Sequence, residues 1–296
     1  MKRGHVVVLG SVNTDLVLRC AALPVGGQTV NGSDFRRLPG GKGANQAVAA
    51  VRFIGAVGSD ESGRDARANL SAEGIDIRHL KEVSGVATGT AMILVDDSSG
   101  QNCIALYEGA NAHVDIELVD CAAADIESAA LLVCQLETPQ AATLHAARIA
   151  RDAGVTVLLN PAPAVPLDTE LLELVDVLVP NESEAMVLAG QTASDSFDPD
   201  RVLDALHMTG VRAALVTLGA QGVLYSDGVA QLRCQAYAAH AVDTSGAGDA
   251  FIGAFGAALV SGKPLERAID FAQRAASISV TRHGAMASLP YKYEID

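Results

Sequence analysis

Asp243-Thr244-Ser245-Gly246-Ala247-Gly248-Asp249 runs directly into Ala250-Phe251-Ile252-Gly253-Ala254-Phe255, a glycine turn that opens a segment of helical period. Small residues let backbone N–H groups converge on one point, and the start of a helix adds partial positive charge there. Such a turn suits an oxyanion or a phosphate. Asp249 falls in the first helical turn, where a carboxylate favours the helix but repels an anion held at the same end. That conflict has a use if the carboxylate accepts a hydroxyl proton while the amides hold the departing charge. Read alone, Asp249 is equally a first-turn helix acid and the glycines only a tight turn. Two competing phosphate motifs fail: Gly41-Lys42-Gly43 lacks the G-x-x-x-x-G-K-[ST] frame, and Phe251 stands where a dinucleotide fingerprint needs its third glycine.

Outward from this turn, short apolar runs bounded by Gly, Asn or Pro alternate with longer helix-period segments, the signature of crossover units around a mostly parallel sheet. The fold class is α/β. Buried strands are predicted at Val6 to Leu9, Phe53 to Val57, Ala130 to Cys134, Val155 to Leu159, Val175 to Val179 and Ala214 to Thr217. Helices are predicted over about Asp60 to Glu73, Gln140 to Ala153, Glu182 to Ala189, Pro199 to Met208, Ala247 to Val260 and Leu265 to Thr281. Two regions break the rhythm, Leu16 to Arg37 and Val86 to Tyr107. Both read as hairpins, and a hairpin added to an α/β sheet must cover its apolar face on the main domain as a lid or on a second copy of itself.

The 296 residues are 49% hydrophobic and 19% charged, a composition for one large domain rather than two equal halves. A net charge of −14 offers no basic field to nucleic acid or an anionic membrane. The longest apolar stretch, Ala250 to Val260, is far short of the roughly 20 residues of a bilayer span. Val6 to Leu9 is too short for a signal-peptide core, so a cytoplasmic location is expected. Five scattered cysteines without a C-x-x-C pair read as reduced thiols.

Near the N-terminus, Gly10-Ser11-Val12-Asn13-Thr14-Asp15 follows the first strand and Gly40-Gly41-Lys42-Gly43-Ala44-Asn45 opens a helix. Ligands of open α/β sheets collect at the carboxyl ends of strands, so Asn13, Asp15 and Asn45 are candidates to hold a polyol. Asn and Asp also populate turns for purely local reasons.

Taken together, Asn13-Thr14-Asp15, Gly40-Gly41-Lys42-Gly43-Ala44-Asn45-Gln46, Asn160-Pro161-Ala162-Pro163, Pro180-Asn181-Glu182-Ser183-Glu184 and Asp243 to Asp249 closely resemble the PfkB carbohydrate kinase family, and within it the ribokinases. The resemblance runs in order over essentially the whole chain. It implies a three-layer αβα sandwich of ribokinase-like fold, one domain over residues 1–296, with a small β-sheet lid drawn from about 11–42 and 86–108. It also implies ATP-dependent phosphorylation of ribose at O5, with Mg2+ and K+ as cofactors and a homodimer formed through the lid.

Residue by residue, the resemblance implies that Asp249 takes the proton from the sugar hydroxyl and that Gly246, Ala247 and Gly248 form the anion hole. Asn13, Asp15, Gly41, Lys42, Gly43, Ala44, Asn45 and Glu137 match the family's sugar contacts, although Glu137 reads equally well as the acid before a Thr138-Pro139 helix start. Asn181 and Glu184 match an N-x-x-E motif tied to magnesium and phosphate, and they are also a capping-box pattern. Thr217, Leu218, Gly219, Ala220, Gln221 and Gly222 match an ATP-contacting turn, with Gln273 near the adenine. Asp243, Ser245, Ser279, Arg282, Gly284 and Ser288 match the potassium site, several through carbonyls. Other acceptors open to the family are deoxyribose, a ketohexose or a nucleoside. A catalytically silent sugar-binding protein would be expected to lose Asp249 or the glycines, and both are intact.

The match departs in one place. After Ala44 to Ala50 the family has more helix and a glycine turn, whereas Val51-Arg52 leads straight into Phe53 to Val57. A helix does not reverse into a strand over two residues without turn chemistry. We therefore expect a turn to be missing from the sequence as written, an expectation that an intact mass equal to 30.4 kDa would refute. If the shortening is real, the helix behind Lys42 and Asn45 is truncated. The chain also ends at Tyr293-Glu294-Ile295-Asp296, where the family continues into a last helix.

Overall fold

The computed structural model describes residues 4–47, 51–99, 101–191 and 196–296. Thirteen strands form along these residues: β1 Val6–Leu9, β2 Asn13–Cys20, β3 Gly32–Gly40, β4 Val51–Gly58, β5 Asp76–Val83, β6 Gly89–Asp96, β7 Asn102–Tyr107, β8 Leu131–Cys134, β9 Thr156–Leu159, β10 Val177–Leu178, β11 Ala213–Thr217, β12 Val223–Ser226 and β13 Gln231–Cys234. The helices are α1 Lys42–Gln46, α2 Glu61–Ala72, α3 Ile116–Cys121, α4 Ala123–Glu127, α5 Gln140–Asp152, α6 Thr169–Leu174, α7 Glu182–Leu188, α8 Pro199–Met208, α9 Ala247–Val260, α10 Leu265–Ser279 and α11 Lys292–Ile295.

Nine strands make one sheet in the order β13-β12-β11-β10-β9-β8-β1-β4-β5. It is parallel from β5 to β11 and antiparallel at β12 and β13. Its central strands are apolar on both faces because both faces are covered. Val7, Leu9, Leu132 and Cys134 pack with α5, α6, α7 and α8. Val6, Val8, Leu131 and Val133 pack with α2, α9 and α10 on the other side. The chain is thus a three-layer αβα sandwich. In α5 the buried stripe is alanine at a spacing of four, Ala142, Ala146 and Ala150. α9 is buried on nearly every face, and a Cβ on Gly256 would come within 2.9 Å of Leu131, so glycine permits this helix to lie close on β8.

The predicted strands and helices form; the short helices α3, α4 and α6 were not predicted, and there are further differences. The Val175 to Val179 strand contracts to Val177–Leu178 because α6 runs to Leu174 and Val175 caps it. β5, β12 and β13 were not predicted: β5 and β13 are half-exposed sheet edges whose polar residues dilute the apolar run that marks a buried strand, and β12, buried between β11 and β13, is only four residues long. Short α11 closes the chain and places Ile295 in the core.

Both hairpins form, and they join. β2 pairs antiparallel with β3, β6 with β7, and β2 with β6 in parallel, giving a separate four-stranded sheet in the order β3-β2-β6-β7. Of the shortened junction, residues 48–50 lie outside the described residues. On either side, α1 has only five residues and β4 is already strand at Val51.

Candidate active site

β1 ends at Leu9, flanked by β8 on one side and β4 on the other. The chain order reverses there, which opens a crevice at the carboxyl ends of the strands. Gly10-Ser11 crosses this crevice directly against α1: Ala44 N donates to Ser11 O at 3.0 Å. Only glycine allows so close an approach. Gly41 has a φ of 94°, and a Cβ there would lie 2.7 Å from Asn13 N; a Cβ on Gly43 would lie 2.6 Å from Gly10 C.

Glu137, two residues past Gln135 at the end of β8, accepts hydrogen bonds from Ser11 Oγ (2.5 Å), Lys42 N (3.3 Å) and Asn13 Nδ2 (3.4 Å). Asn13 Oδ1 is held in turn by Asn111 Nδ2 at 2.7 Å. Glu137 is therefore tied across to the clasp rather than spent on capping its own helix. The Asp15 carboxylate lies over Gly40, where a Cβ would meet it at 2.2 Å. Burial, reinforced by the negative charges of Glu137 and Asp249 and eased by Lys42, pushes the Asp15 carboxyl up to about 7.

The same clasp reaches the glycine turn 200 residues later. Asn45 Nδ2 donates to Asp249 Oδ2 at 2.9 Å, and Gln46 Nε2 to Asp249 Oδ1 at 2.8 Å. Asp249 is buried at the start of α9, and burial raises its carboxyl above the ordinary range. Lys42 and the two amides pull the other way by favouring the charged form. Burial alone would lower the Lys42 ammonium, but Asp249, Glu137, Glu184 and Asp15 surround it and hold it above its usual value.

Gly246 caps α9 in the left-handed region with a φ of 73°. Beyond it the first amides of the helix have no intrahelical partner. Ala247 N turns back to Thr244 O at 3.3 Å. Gly248 is exposed and has open space where a Cβ would stand. A cavity beside this turn is lined by Lys42, Asn160, Asn181, Glu184, Thr217, Gly246, Gly248 and Asp249. The N-x-x-E motif is a full capping box on α7: Asn181 Oδ1 accepts from Glu184 N, and Glu184 Oε2 from Asn181 N. Burial raises Glu184 above the ordinary carboxyl range. Thr217 N donates to Pro180 O at 2.9 Å, which sets the motif beside the turn after β11. In that turn Leu218 N bonds to Gly222 O, Gly219, Ala220 and Gln221 are exposed, and Gly222 has a φ of 95°.

A model of the pfkB family carbohydrate kinases matches residues 3–292. The chain belongs to that family. A ribokinase of Haemophilus influenzae is 41% identical, over 99% of this chain and 97% of its own length. A deoxyribokinase of Salmonella typhi is 36% identical, over 96% of this chain and 95% of its own. The structure of Arabidopsis thaliana ribokinase complexed with ribose and ATP superposes with a TM-score of 0.85 at 31% identity, over 99% of this chain and 97% of that one. The fold is ribokinase-like.

Placed against this carbohydrate kinase frame, the remaining sequence-predicted residues divide. Asp243 Oδ1 accepts from Ser245 N and Oδ2 from Gly284 N, both at 2.9 Å, and these bonds hold the acid below the usual carboxylate range despite burial. They tie the loop before α9 to the one after α10. Ser279 and Ser288 are buried, each with its hydroxyl donating to a carbonyl three residues back, and Arg282 pairs with Glu294. Gln273 is buried on α10 and is not among the residues lining the cavity at Asp249. Among the described residues no three His, Cys, Asp or Glu side chains group to hold a metal ion. No helix of the described residues is long and apolar enough to cross a membrane.

Sequence reasoning missed Ser11, Gln46, Asn111, Gln135 and Asn160 as members of the site. Ser11, Gln46 and Asn160 stand inside motifs that were already visible, but their roles depend on side chains from elements far apart. Gln135 follows a buried strand end, a position where a polar residue is a usable signal. Asn111, in a short turn, carries none.

Proposed function

We propose that this chain phosphorylates D-ribose at O5 with ATP, yielding ribose 5-phosphate and ADP. The observation that carries the reading is the pair of hydrogen bonds from Asn45 and Gln46 to Asp249, which make the polar clasp and the anion turn one site. Asn13, Asp15, Lys42 and Glu137 offer acceptors and donors to sugar hydroxyls, and Asp249 accepts the proton of the attacking hydroxyl. The α9 amides and Lys42 face the charge that grows on the transferring phosphoryl group. Thr217 to Gly222 and Asn181 bind the nucleotide, with Gln273 assigned to the adenine.

Mg2+ would enter with its nucleotide, since among the described residues no three His, Cys, Asp or Glu side chains group as a cage, and Glu184 borders the cavity where the phosphates would lie. When bound it neutralises phosphate charge. K+ is assigned to the region of the two loops that Asp243 joins by accepting from Ser245 N and Gly284 N, where backbone carbonyls would supply most of the hard oxygen donors such an ion takes. The four-stranded sheet acts as the lid, excluding water over the sugar. It leaves Phe35, Met92 and Tyr107 exposed on one face, which supports a homodimer in which two lids cover each other. A mass of two chains in solution, reduced to one by Phe35→Asp with Met92→Asp, tests that assembly.

The decisive assay is coupled ADP release with ribose, with and without potassium. Activity that Asp249→Ala abolishes is expected. Background-level release, unchanged by Asp249→Ala, would overturn the reading. The deoxyribokinase relative makes 2-deoxyribose the second acceptor to measure, and a higher kcat/KM for it would transfer the assignment.

A further inference from the structure

We propose that Gln46 is the positioning residue of the catalytic base: held by Gln135 and Asn160, it fixes Asp249 Oδ1 and leaves Oδ2 as the oxygen that takes the proton. This rests on the kinase reading above but concerns a residue that touches neither sugar nor nucleotide in it.

The hydrogen-bond directions follow from one backbone group. Val179 O can only accept, so Asn160 turns its Nδ2 toward it at 2.9 Å and presents Oδ1 to Gln46. Gln46 must then aim its Nε2 at that oxygen, 3.0 Å away, and the same amide reaches Asp249 Oδ1 at 2.8 Å. The other end of Gln46, Oε1, accepts from Gln135 Nε2 at 2.7 Å. All three amides are buried, Gln135 at 0%, Gln46 at 2% and Asn160 at 6% exposure; rotating Gln46 or Asn160 would strand a donor or acceptor away from water, and rotating Gln135, whose Oε1 already lacks a partner, would set that oxygen against Gln46 Oε1.

Asn45 on the other carboxylate oxygen is held differently. Its Nδ2 donates to Asp249 Oδ2, but its own Oδ1 is buried without a partner. Gln46 is thus clamped at both ends and Asn45 at one. When a hydroxyl enters, Oδ2 is the oxygen whose existing partner is free to yield, and Oδ1 stays oriented. A donor on the carboxylate also favours its charged form, so Gln46 keeps a buried base able to accept a proton.

The test compares wild type, Gln46→Met and Gln135→Met, with Asp249→Asn as the blank. In ADP release, Gln46→Met is expected to lower kcat about 10- to 100-fold with the sugar KM within about threefold, as misplacement of a reacting group does. The acid limb of kcat should move up by roughly one pH unit, and Gln135→Met should move both in the same direction by less. Infrared titration of the Asp249 carboxylate, by difference from the blank, should show the same upward shift whatever sugar is used. That readout separates the two ideas: an inactive wild type sinks the kinase reading, whereas an unshifted carboxylate sinks this one. Wild-type kcat and pH profile in Gln46→Met, or a loss carried by KM alone, overturns the proposal. If Gln46→Met does not fold, a Gln135→Met protein with an unchanged profile overturns it equally.

Discussion

Asn45 Nδ2 lies 2.9 Å from Asp249 Oδ2, although the two residues are 204 apart in the chain. One belongs to a helix of five residues that leans on Ser11; the other begins a buried helix on the same side of the sheet. Their contact joins the two halves of the proposed site, and its consequences can be measured.

Asp249→Asn keeps the shape and removes the base. We expect kcat to fall about 10²- to 10⁴-fold with little change in melting temperature, measured by coupled ADP release and thermal denaturation. Because burial holds the Asp249 carboxyl above its ordinary value, the wild-type rate should fall on acidification at a pH higher than a free aspartate would give.

Asp15 carries a stability cost that depends on pH. Its carboxyl is pushed from 3.8 to about 7, so the folded protein holds a proton that the unfolded chain releases above 3.8. The cost is therefore absent below pH 3.8, builds as pH rises and is complete above about 7. Asp15→Asn should therefore gain on wild type between pH 5 and pH 8, by roughly 2–4 kcal/mol in urea denaturation. The same variant should raise the sugar KM, since a carboxyl oxygen is replaced by an amide that donates.

Asn181 and Glu184 combine a helix cap with a place on the cavity wall. Asn181→Ala removes the cap and should cost about 1 kcal/mol of stability. Glu184→Gln preserves an acceptor for Asn181 N but not the charge. It should leave stability within about 0.5 kcal/mol of wild type and lower turnover, with the magnesium concentration for half-maximal rate raised. Equal stability and equal turnover would reduce the motif to a cap.

Gly41→Ala places a Cβ 2.7 Å from Asn13 N at a φ of 94°. Both the clash and the left-handed backbone oppose it, so a stability loss of about 1–3 kcal/mol is expected, with the sugar KM rising more than the nucleotide KM because Asn13 is displaced. Gly74→Ala, left-handed at 75° but with open space at the Cβ, is the control that isolates the backbone term.

Elements made by local rules were legible in advance. β1 and β8 are apolar on both faces because a parallel sheet covers both, and α5 and α10 carry their cores at helical spacing. Edge strands β5 and β13 were not, since a strand with one neighbour need not be apolar. Of the site, the motif residues Asn13, Asp15, Lys42, Asn45 and Asp249 were named, and Glu137 stood open between a site acid and a helix-start acid. In the structure Glu137 accepts from Ser11, Asn13 and Lys42, which ties it to the clasp.

The sequence by itself determined the α/β class, most element positions and the family, because periodicity, turn chemistry and ordered motifs are written in local order along the chain. Only the tertiary structure decided that Gln46, Gln135 and Asn160 stand behind Asp249 and that two hairpins share one sheet. Hydrogen-bond partners drawn from opposite ends of a chain leave no pattern at any fixed spacing; they exist once the sheet has brought the carboxyl ends of its strands together.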